Sequence, residues 1–308
     1  MKLDKPKFWD YKYNFLTIIL LPISYLVLVF IFLKKKLKKE IKFKIPVICI
    51  GNIYIGGTGK TPTSIFLAKE LNKLGKKTAI VRKFYKNHKD EHKLIKNSFK
   101  DLILTKKRSQ GIIEAEKNYN TVILDDGFQE YKIFKNLNII CFNSNQLVGN
   151  EYVLPAGPLR ESLANLNRAH IILINGSKNK KFEDKLLSLN KNLSIFYSSY
   201  KPKNLEQFKN KKLLAFAGIG NPNNFFKLLN YYGLKIEKQL IFPDHYVFSP
   251  NELGRIVEEA KNKNLEIITT EKDYYKIEDY GIKEIQFLKV DLEIDDKEKL
   301  LREIQKYL

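Results

Sequence analysis

A chain of 308 residues with 44% hydrophobic side chains can bury the core of one large domain or two modest ones, which excludes disorder for its bulk. Its 55 Lys and Arg against 34 Asp and Glu leave a net charge of +21, a balance that favours anionic partners: nucleic acid, an acidic membrane surface or a phosphorylated substrate. Lysines are spread through the whole chain, so a compositional bias on a solvated surface accounts for the charge equally well. The two cysteines, Cys49 and Cys141, lie in short apolar runs, where they read as buried thiols of a reducing compartment and form neither a disulfide framework nor a metal site.

The first element departs from the average composition. Residues 15–33, FLTIILLPISYLVLVFIFL, run for 19 residues without a charge, and as a helix they would extend roughly 28 Å, close to the ~30 Å hydrocarbon core of a bilayer. No small-residue cleavage site follows. A lysine run, KKKLKKE over 34–40, does, which predicts an uncleaved membrane anchor with that run on the cytoplasmic side. Pro22 in its middle and Lys2, Lys5, Lys7 and Lys12 before it also permit a shallower helix in one leaflet, and the buried helix of a soluble protein is the plain alternative.

After the lysine run, short apolar strands alternate with helical patterns: IPVICIG (45–51), a helix over about 61–74 with Gly75 as its C-terminal cap, TAIVR (78–82), DLILT (101–105), TVILDD (121–126), NIICF (138–142) and HIILIN (170–175). That rhythm predicts an α/β fold with a mostly parallel sheet wrapped by helices. A polar stretch over 198–212 reads as a boundary. A second, smaller α/β unit then runs from LLAFAGIG (213–220) through LEIITTEKD (265–273) to an amphipathic tail. The expected division is an anchor over 1–40, a phosphate-loop domain over 41–205 and a smaller α/β domain over 206–308.

The stretch GGTGKT (56–61) stands where the first strand turns into a helix. Gly56, Gly57, Thr58 and Gly59 let backbone N–H groups turn toward a phosphate, Lys60 can reach the β- and γ-phosphates, and the Thr61 hydroxyl can ligate Mg²⁺ at the positive end of the helix. The chemistry fits ATP. The loop is a variant, because Tyr54 occupies the place of the first glycine in the strict pattern. TVILDDGFQ ends a strand in two carboxylates, where such folds hold Mg²⁺ or its water, so Asp125 and Asp126 are the expected metal side; an Asp-Gly turn is the alternative. Arg160, on the Pro- and Gly-stiffened LPAGPLRES (154–162), can clamp phosphate oxygens, and His245 beside Asp244 in FPDHY can take part in proton transfer. His88 and His92 have metal-ligand spacing without a third partner, and His170 opens an apolar strand as a core or edge residue.

Taken together, the N-terminal apolar segment, GNIYIGGTGKTP, LDDGFQ, LPAGPLRE, LNRAHIILING, AFAGIGNPNNFF, FPDHYVF and TTEKD resemble the tetraacyldisaccharide 4′-kinases over nearly the whole chain. The resemblance implies transfer of the γ-phosphate of ATP, with Mg²⁺, to the 4′-hydroxyl of an acylated glucosamine disaccharide 1-phosphate. It implies an enzyme at the inner membrane with its catalytic domains on the cytoplasmic side, where the anchor and the basic surface meet anionic lipid. It further implies that Lys60 and Thr61 bind phosphate and Mg²⁺, that Asp125, Asp126 and Glu161 belong to the metal and nucleotide side, and that Arg160 contacts phosphates. By the same resemblance the base is Asp90, in DEHKLI (90–95), assisted by His245. The chain departs from the family at RKFY (82–85), where the usual Arg-Gly-Tyr-Gly has lost both glycines while Arg82 and Tyr85 keep their places, and at Glu130, where the family often has histidine.

Two other classes compete. A membrane-associated ATPase switch of the partitioning type carries a lysine before its paired glycines, and here that position is Ile55. A nucleic-acid-binding protein would gather its lysines with aromatics on one face; these are dispersed and no recognition motif accompanies them.

Overall fold

The structure, a computed structural model, describes residues 6–86, 88–244 and 246–308. In chain order the elements of the first half are α1 (Phe15–Lys36), β1 (Val47–Gly51), α2 (Lys60–Lys73), β2 (Thr78–Lys83), α3 (Lys89–Ser98), β3 (Leu102–Thr105), α4 (Arg108–Ala115), β4 (Thr121–Asp125) and β5 (Leu137–Asn143). They continue through β6 (Ile171–Asn175), α5 (Lys180–Leu189), β7 (Ser194–Pro202), β8 (Lys212–Ala217), α6 (Pro222–Tyr231), β9 (Lys235–Ile241) and α7 (Pro250–Asn262). The chain closes with β10 (Glu266–Thr270), α8 (Glu271–Ile277), β11 (Ile285–Leu288), β12 (Val290–Ile294) and α9 (Lys297–Gln305). Two compact units result. Residues 6–84, 101–199 and 293–308 form the larger, and 85–100 with 200–292 form the smaller, so each is assembled from separated segments.

The larger unit is built on a sheet of order β12-β7-β6-β5-β1-β4-β2-β3, parallel at every pairing from β7 to β3. Every residue of β1, β4 and β5 is buried, which is why these strands read as continuous apolar runs rather than as alternation: helices cover both faces. One face packs Ile140, Phe142 and Ile174 against Phe182 and Leu186 of α5; the other packs Val47, Val81 and Leu124 against Ile112 of α4. The order reverses around β1, so the crevice at its carboxyl end, where the glycine loop begins, lies at a topological switch point. Both cysteines are buried in this sheet, and burial pushes the Cys49 thiol up to about 11 and Cys141 up to about 12.

The smaller unit has its own parallel sheet, β11-β10-β8-β9, with α6 on one face through Phe225, Phe226 and Leu229 and α7 on the other through Leu253, Ile256 and Ala260. Helix α3 leaves the chain between β2 and β3 and packs against α8 in this unit. The polar stretch over 198–212 is in part a strand, since β7 runs to Pro202; its alternate residues Ser199 and Lys201 are exposed, which is why the end of this strand reads as polar.

Helix α1 is long and apolar enough to cross a membrane by length and composition, and it continues unbroken through Pro22. A narrow seam, Thr17, Ser24, Val27 and Leu28, faces the larger unit at helical spacing, while Phe15, Ile18, Tyr25, Leu26, Phe30 and Phe32 remain exposed.

The carboxyl end of β1 comes against the turn after β4 so closely that a Cβ on Gly51 would lie 2.5 Å from Phe128 Cβ and 3.3 Å from its Cα. Gly51→Ala should therefore destabilise the fold by about 1–3 kcal/mol, as overpacking of a rigid contact does, and urea unfolding of the variant measures it.

Candidate active site

The site of the larger unit grows from the carboxyl ends of β1 and β4. Gly56 and Gly59 take positive φ angles, 110° and 91°, which only glycine adopts without strain, and Gly59 caps α2 so that Lys60 and Thr61 open the helix. The loop is tied from inside by Asn52, fully buried, whose Nδ2 donates to the Tyr54 carbonyl at 2.6 Å and to Thr58 Oγ1 at 3.0 Å. The Thr58 side chain is thus buried inside the loop.

The two aspartates divide at the strand end. Asp125 closes β4 with no exposed surface: Ser64 Oγ donates to its Oδ1 at 3.0 Å, Thr61 Oγ1 to its Oδ2 at 3.2 Å, and Arg82 of β2 forms a buried ion pair with the same Oδ2. Arg82 Nη1 also lies 3.3 Å from Thr61 Oγ1. Asp126 follows in the left-handed region at φ 57°, a conformation that aspartate tolerates better than most side chains, and this turns its carboxylate out of the strand line. There it meets Lys60 Nζ at 3.6 Å and Arg160 Nη1 at 2.9 Å and 3.1 Å, while Arg108 Nη2 donates to its backbone carbonyl at 2.7 Å. Burial opposes ionisation of Asp126, but the Lys60 and Arg160 cations outweigh it and hold the carboxyl well below the usual range. Burial in turn pulls the Lys60 ammonium down from its ordinary value, partly offset by Asp126.

Arg160 is aimed by its loop. Its amide donates to the Ile53 carbonyl at 2.7 Å, and the Ile55 amide donates to Pro158 at 2.9 Å, so LPAGPLRE is laced to the chain that enters the glycine loop. Glu161, fully buried, accepts from Tyr131 OH at 2.7 Å, from Gln129 Nε2 at 2.8 Å and from Arg168 Nη2 at 2.6 Å. Arg168 stacks 4.0 Å over the Phe128 ring. The structure therefore brings Lys60, Thr61, Asp125, Asp126 and Arg160 together and holds Glu161 behind them in a closed network.

In the smaller unit, Asp90 occupies the first turn of α3 and is 3% exposed. Lys272, at the start of α8, gathers carboxylates: its Nζ lies 2.9 Å from Glu91, 3.4 Å from Asp244 and 3.9 Å from Asp90. Asp273 anchors the neighbouring turn, accepting from the Gly218 amide at 2.8 Å and from Thr270 Oγ1 at 2.7 Å. His245 lies outside the described residues. His88 sits 3.4 Å from Glu91, and among the described residues no three His, Cys, Asp or Glu side chains gather as a metal cluster. His170 stands half-buried just ahead of β6, between the core and edge positions expected of it: its Nδ1 accepts from the Asn138 amide at 2.9 Å, and burial lowers its pKa.

A family model described as tetraacyldisaccharide-1-P 4′-kinase matches residues 16–308. The chain belongs to this family. Among curated tetraacyldisaccharide 4′-kinases it is 39% identical to that of Pelagibacter ubique, over 99% of this chain and 98% of the relative, and 33% identical to that of Rickettsia akari over the same shares. The crystal structure of the Aquifex aeolicus family member LpxK in complex with ATP superposes with a TM-score of 0.72 at 26% identity, covering 95% of this chain and 99% of that one. Kinase chemistry, rather than a partitioning-type ATPase switch, is thus what the phosphate loop of this tetraacyldisaccharide 4′-kinase family member serves, and the α/β fold with a second parallel sheet agrees with the sequence reading.

Sequence reasoning passed over Asn52, Ser64, Arg108, Arg168 and Lys272, and took Arg82 only as a residue kept in place. A signal existed for two of them: Ser64 falls one turn after Thr61 among the apolar positions of α2, and Arg82 ends the apolar run TAIVR, where a charge needs a partner. Arg82→Met should cost about 3–5 kcal/mol, because it strands Asp125 as a buried charge, and chemical denaturation reads the loss.

Proposed function

We propose that this chain transfers the γ-phosphate of ATP to the 4′-hydroxyl of a tetraacylated glucosamine disaccharide 1-phosphate. The observation that carries the reading is the convergence of Lys60 and Arg160 on Asp126 at the start of α2, beside positive-φ glycines that turn backbone amides toward an anion. Lys60 and the amides of Gly56, Gly57, Thr58 and Gly59 bind the phosphate chain, and Arg160 neutralises charge on the transferring group. Thr61 and Asp126 offer hydroxyl and carboxylate oxygens, the donor set that Mg²⁺ takes when phosphates and water complete its shell, and Asp125, enclosed by Arg82 and Ser64, belongs to this metal side through its hold on Thr61. When bound there, Mg²⁺ would supply charge neutralisation on the β- and γ-oxygens. Glu161 serves this side at one remove, fixing the loop next to Arg160.

Asp90, assisted by His245, accepts the proton of the 4′-hydroxyl as its oxygen bonds to the γ-phosphorus and the bond to ADP breaks. Lys272 supports this role by holding Asp90, Glu91 and Asp244 in one cluster. The exposed apolar face of α1 rests in the lipid of the inner membrane while the seam through Thr17, Ser24, Val27 and Leu28 stays docked, and Lys34, Lys35 and Lys36 meet anionic headgroups on the cytoplasmic side. Docking at both Thr17 and Ser24 favours a helix lying along the membrane surface over one that crosses it.

Purified full-length protein, given ATP, Mg²⁺ and detergent-dispersed tetraacyldisaccharide 1-phosphate, should yield a lipid with one added phosphate by mass spectrometry. Folded Lys60→Ala should be slower by about 10²-fold or more. Asp90→Ala should lose about 10²–10⁴-fold in kcat with ATP affinity kept. Phosphate release without lipid product would overturn the reading.

A further inference from the structure

Helix α1 carries two buried polar side chains on an otherwise apolar surface, and an anchor has no use for them. Thr17 is 1% exposed and Ser24 is 3% exposed, in a helix whose remaining face is open. Ser24 Oγ donates to the Val153 carbonyl at 2.8 Å and accepts from the Ala156 amide at 3.0 Å, so one hydroxyl satisfies both a donor and an acceptor of the same short loop. Thr17 Oγ1 lies 3.5 Å from Asn150 Nδ2, which also donates to the Ala156 carbonyl at 2.9 Å. Ahead of the helix, Trp9 Nε1 donates to the Pro155 carbonyl at 3.1 Å and the Trp9 carbonyl accepts from the Asn150 amide at 2.8 Å. The membrane segment and the stretch before it thus hold the backbone of 150–156 from one side.

From the other side, that backbone leads within a few residues to Arg160. Val153, which accepts from Ser24, is bridged to Leu159, and Leu159 is bridged to Tyr54 at the entry of the glycine loop. The Leu154 amide donates to the Leu159 carbonyl at 2.9 Å and the Leu159 amide donates to the Tyr152 carbonyl at 3.1 Å. There is no slack in this turn: a Cβ on Gly157 would fall 2.2 Å from Asn150 Oδ1 and 2.3 Å from the Tyr152 carbonyl oxygen. A shift of 153–156 therefore moves Leu159, and with it the residue whose guanidinium grips Asp126.

We propose that Ser24, with Thr17, is a positioning residue for Arg160, so that the membrane helix is a structural part of the phosphoryl-transfer site as well as an anchor. The proposal rests on the reading of Arg160 as a phosphate-contacting side chain. It separates two faces of one helix: the exposed face serves lipid, and the buried polar seam serves the reaction. Removing the whole helix would abolish both at once, so the test uses point substitutions in the full-length chain.

Ser24→Ala and Thr17→Val, in detergent with dispersed tetraacyldisaccharide 1-phosphate, should each lower kcat, Ser24→Ala by about tenfold, with a smaller change in the KM for ATP. Both should still sediment with anionic phospholipid vesicles as the parent chain does. Leu26→Ser with Phe30→Ser, on the exposed face, should lose vesicle binding and keep kcat on the dispersed substrate. The decisive comparison is a double-mutant cycle: in an Arg160→Ala background, Ser24→Ala should change kcat by less than about twofold. A full tenfold loss in that background, or no loss in the parent, would overturn the proposal. If Arg160→Ala itself leaves kcat intact, the reading of Arg160 fails instead, and the two failures are told apart. Should Ser24→Ala lower the melting temperature, Ser24→Thr, which keeps the hydroxyl, must restore kcat; a hydroxyl variant that folds yet stays slow contradicts the proposal.

Discussion

Asp125 is a carboxylate that no water reaches, and an ionised group in that position survives only if the protein surrounds it with donors. Arg82, Thr61 and Ser64 supply them, from β2 and from the first turn of α2. That requirement fixes three elements at once: the end of β4, the end of β2 and the start of the helix behind the glycine loop. Asp125 is committed inward, and its neighbour Asp126 turns the other way, toward the Lys60 and Arg160 cations. The left-handed turn at Asp126 delivers a second carboxylate to Lys60 and Arg160 without moving the first.

Around that pair, cations outnumber carboxylates. Lys60, Arg160 and Arg108 all address Asp126 or its backbone, which leaves a local surplus of positive charge beside the glycine loop. The +21 of the whole chain contributes little to this surplus, since its lysines are dispersed along the sequence; the cations here are a few residues gathered at the carboxyl ends of β1 and β4. A second division holds for LPAGPLRE. Arg160 turns to Asp126, whereas Glu161 is enclosed by Tyr131, Gln129 and Arg168.

Much of this was legible in the sequence because the signals were local. GGTGKT between an apolar strand and an amphipathic helix, and TVILDD as a strand ending in carboxylates, each specify backbone geometry within a dozen residues. Partners that meet only through the sheet were not legible. Arg82 and Asp125 are 43 positions apart and become neighbours because β2 pairs with β4 in parallel register, Arg82 opposite Asp125. Helix α3 reads as a lysine-rich polar stretch, and nothing in its composition announces that Asp90 and His92 turn inward against α8. The apolar run of α1 hid its own second role, since Thr17 and Ser24 look like tolerated interruptions of a lipid-facing helix until the loop they bond is in view.

A kinase of this design differs from an ATPase switch in where the phosphorus ends up, so the most direct measurement is positional. Phosphorus–proton correlation NMR of the lipid recovered after turnover with ATP should show one new phosphate monoester, coupled to the proton on carbon 4′ of the distal glucosamine, with the 1-phosphate untouched. A product phosphorylated elsewhere on the sugar, or unmodified lipid beside free inorganic phosphate, would contradict the account.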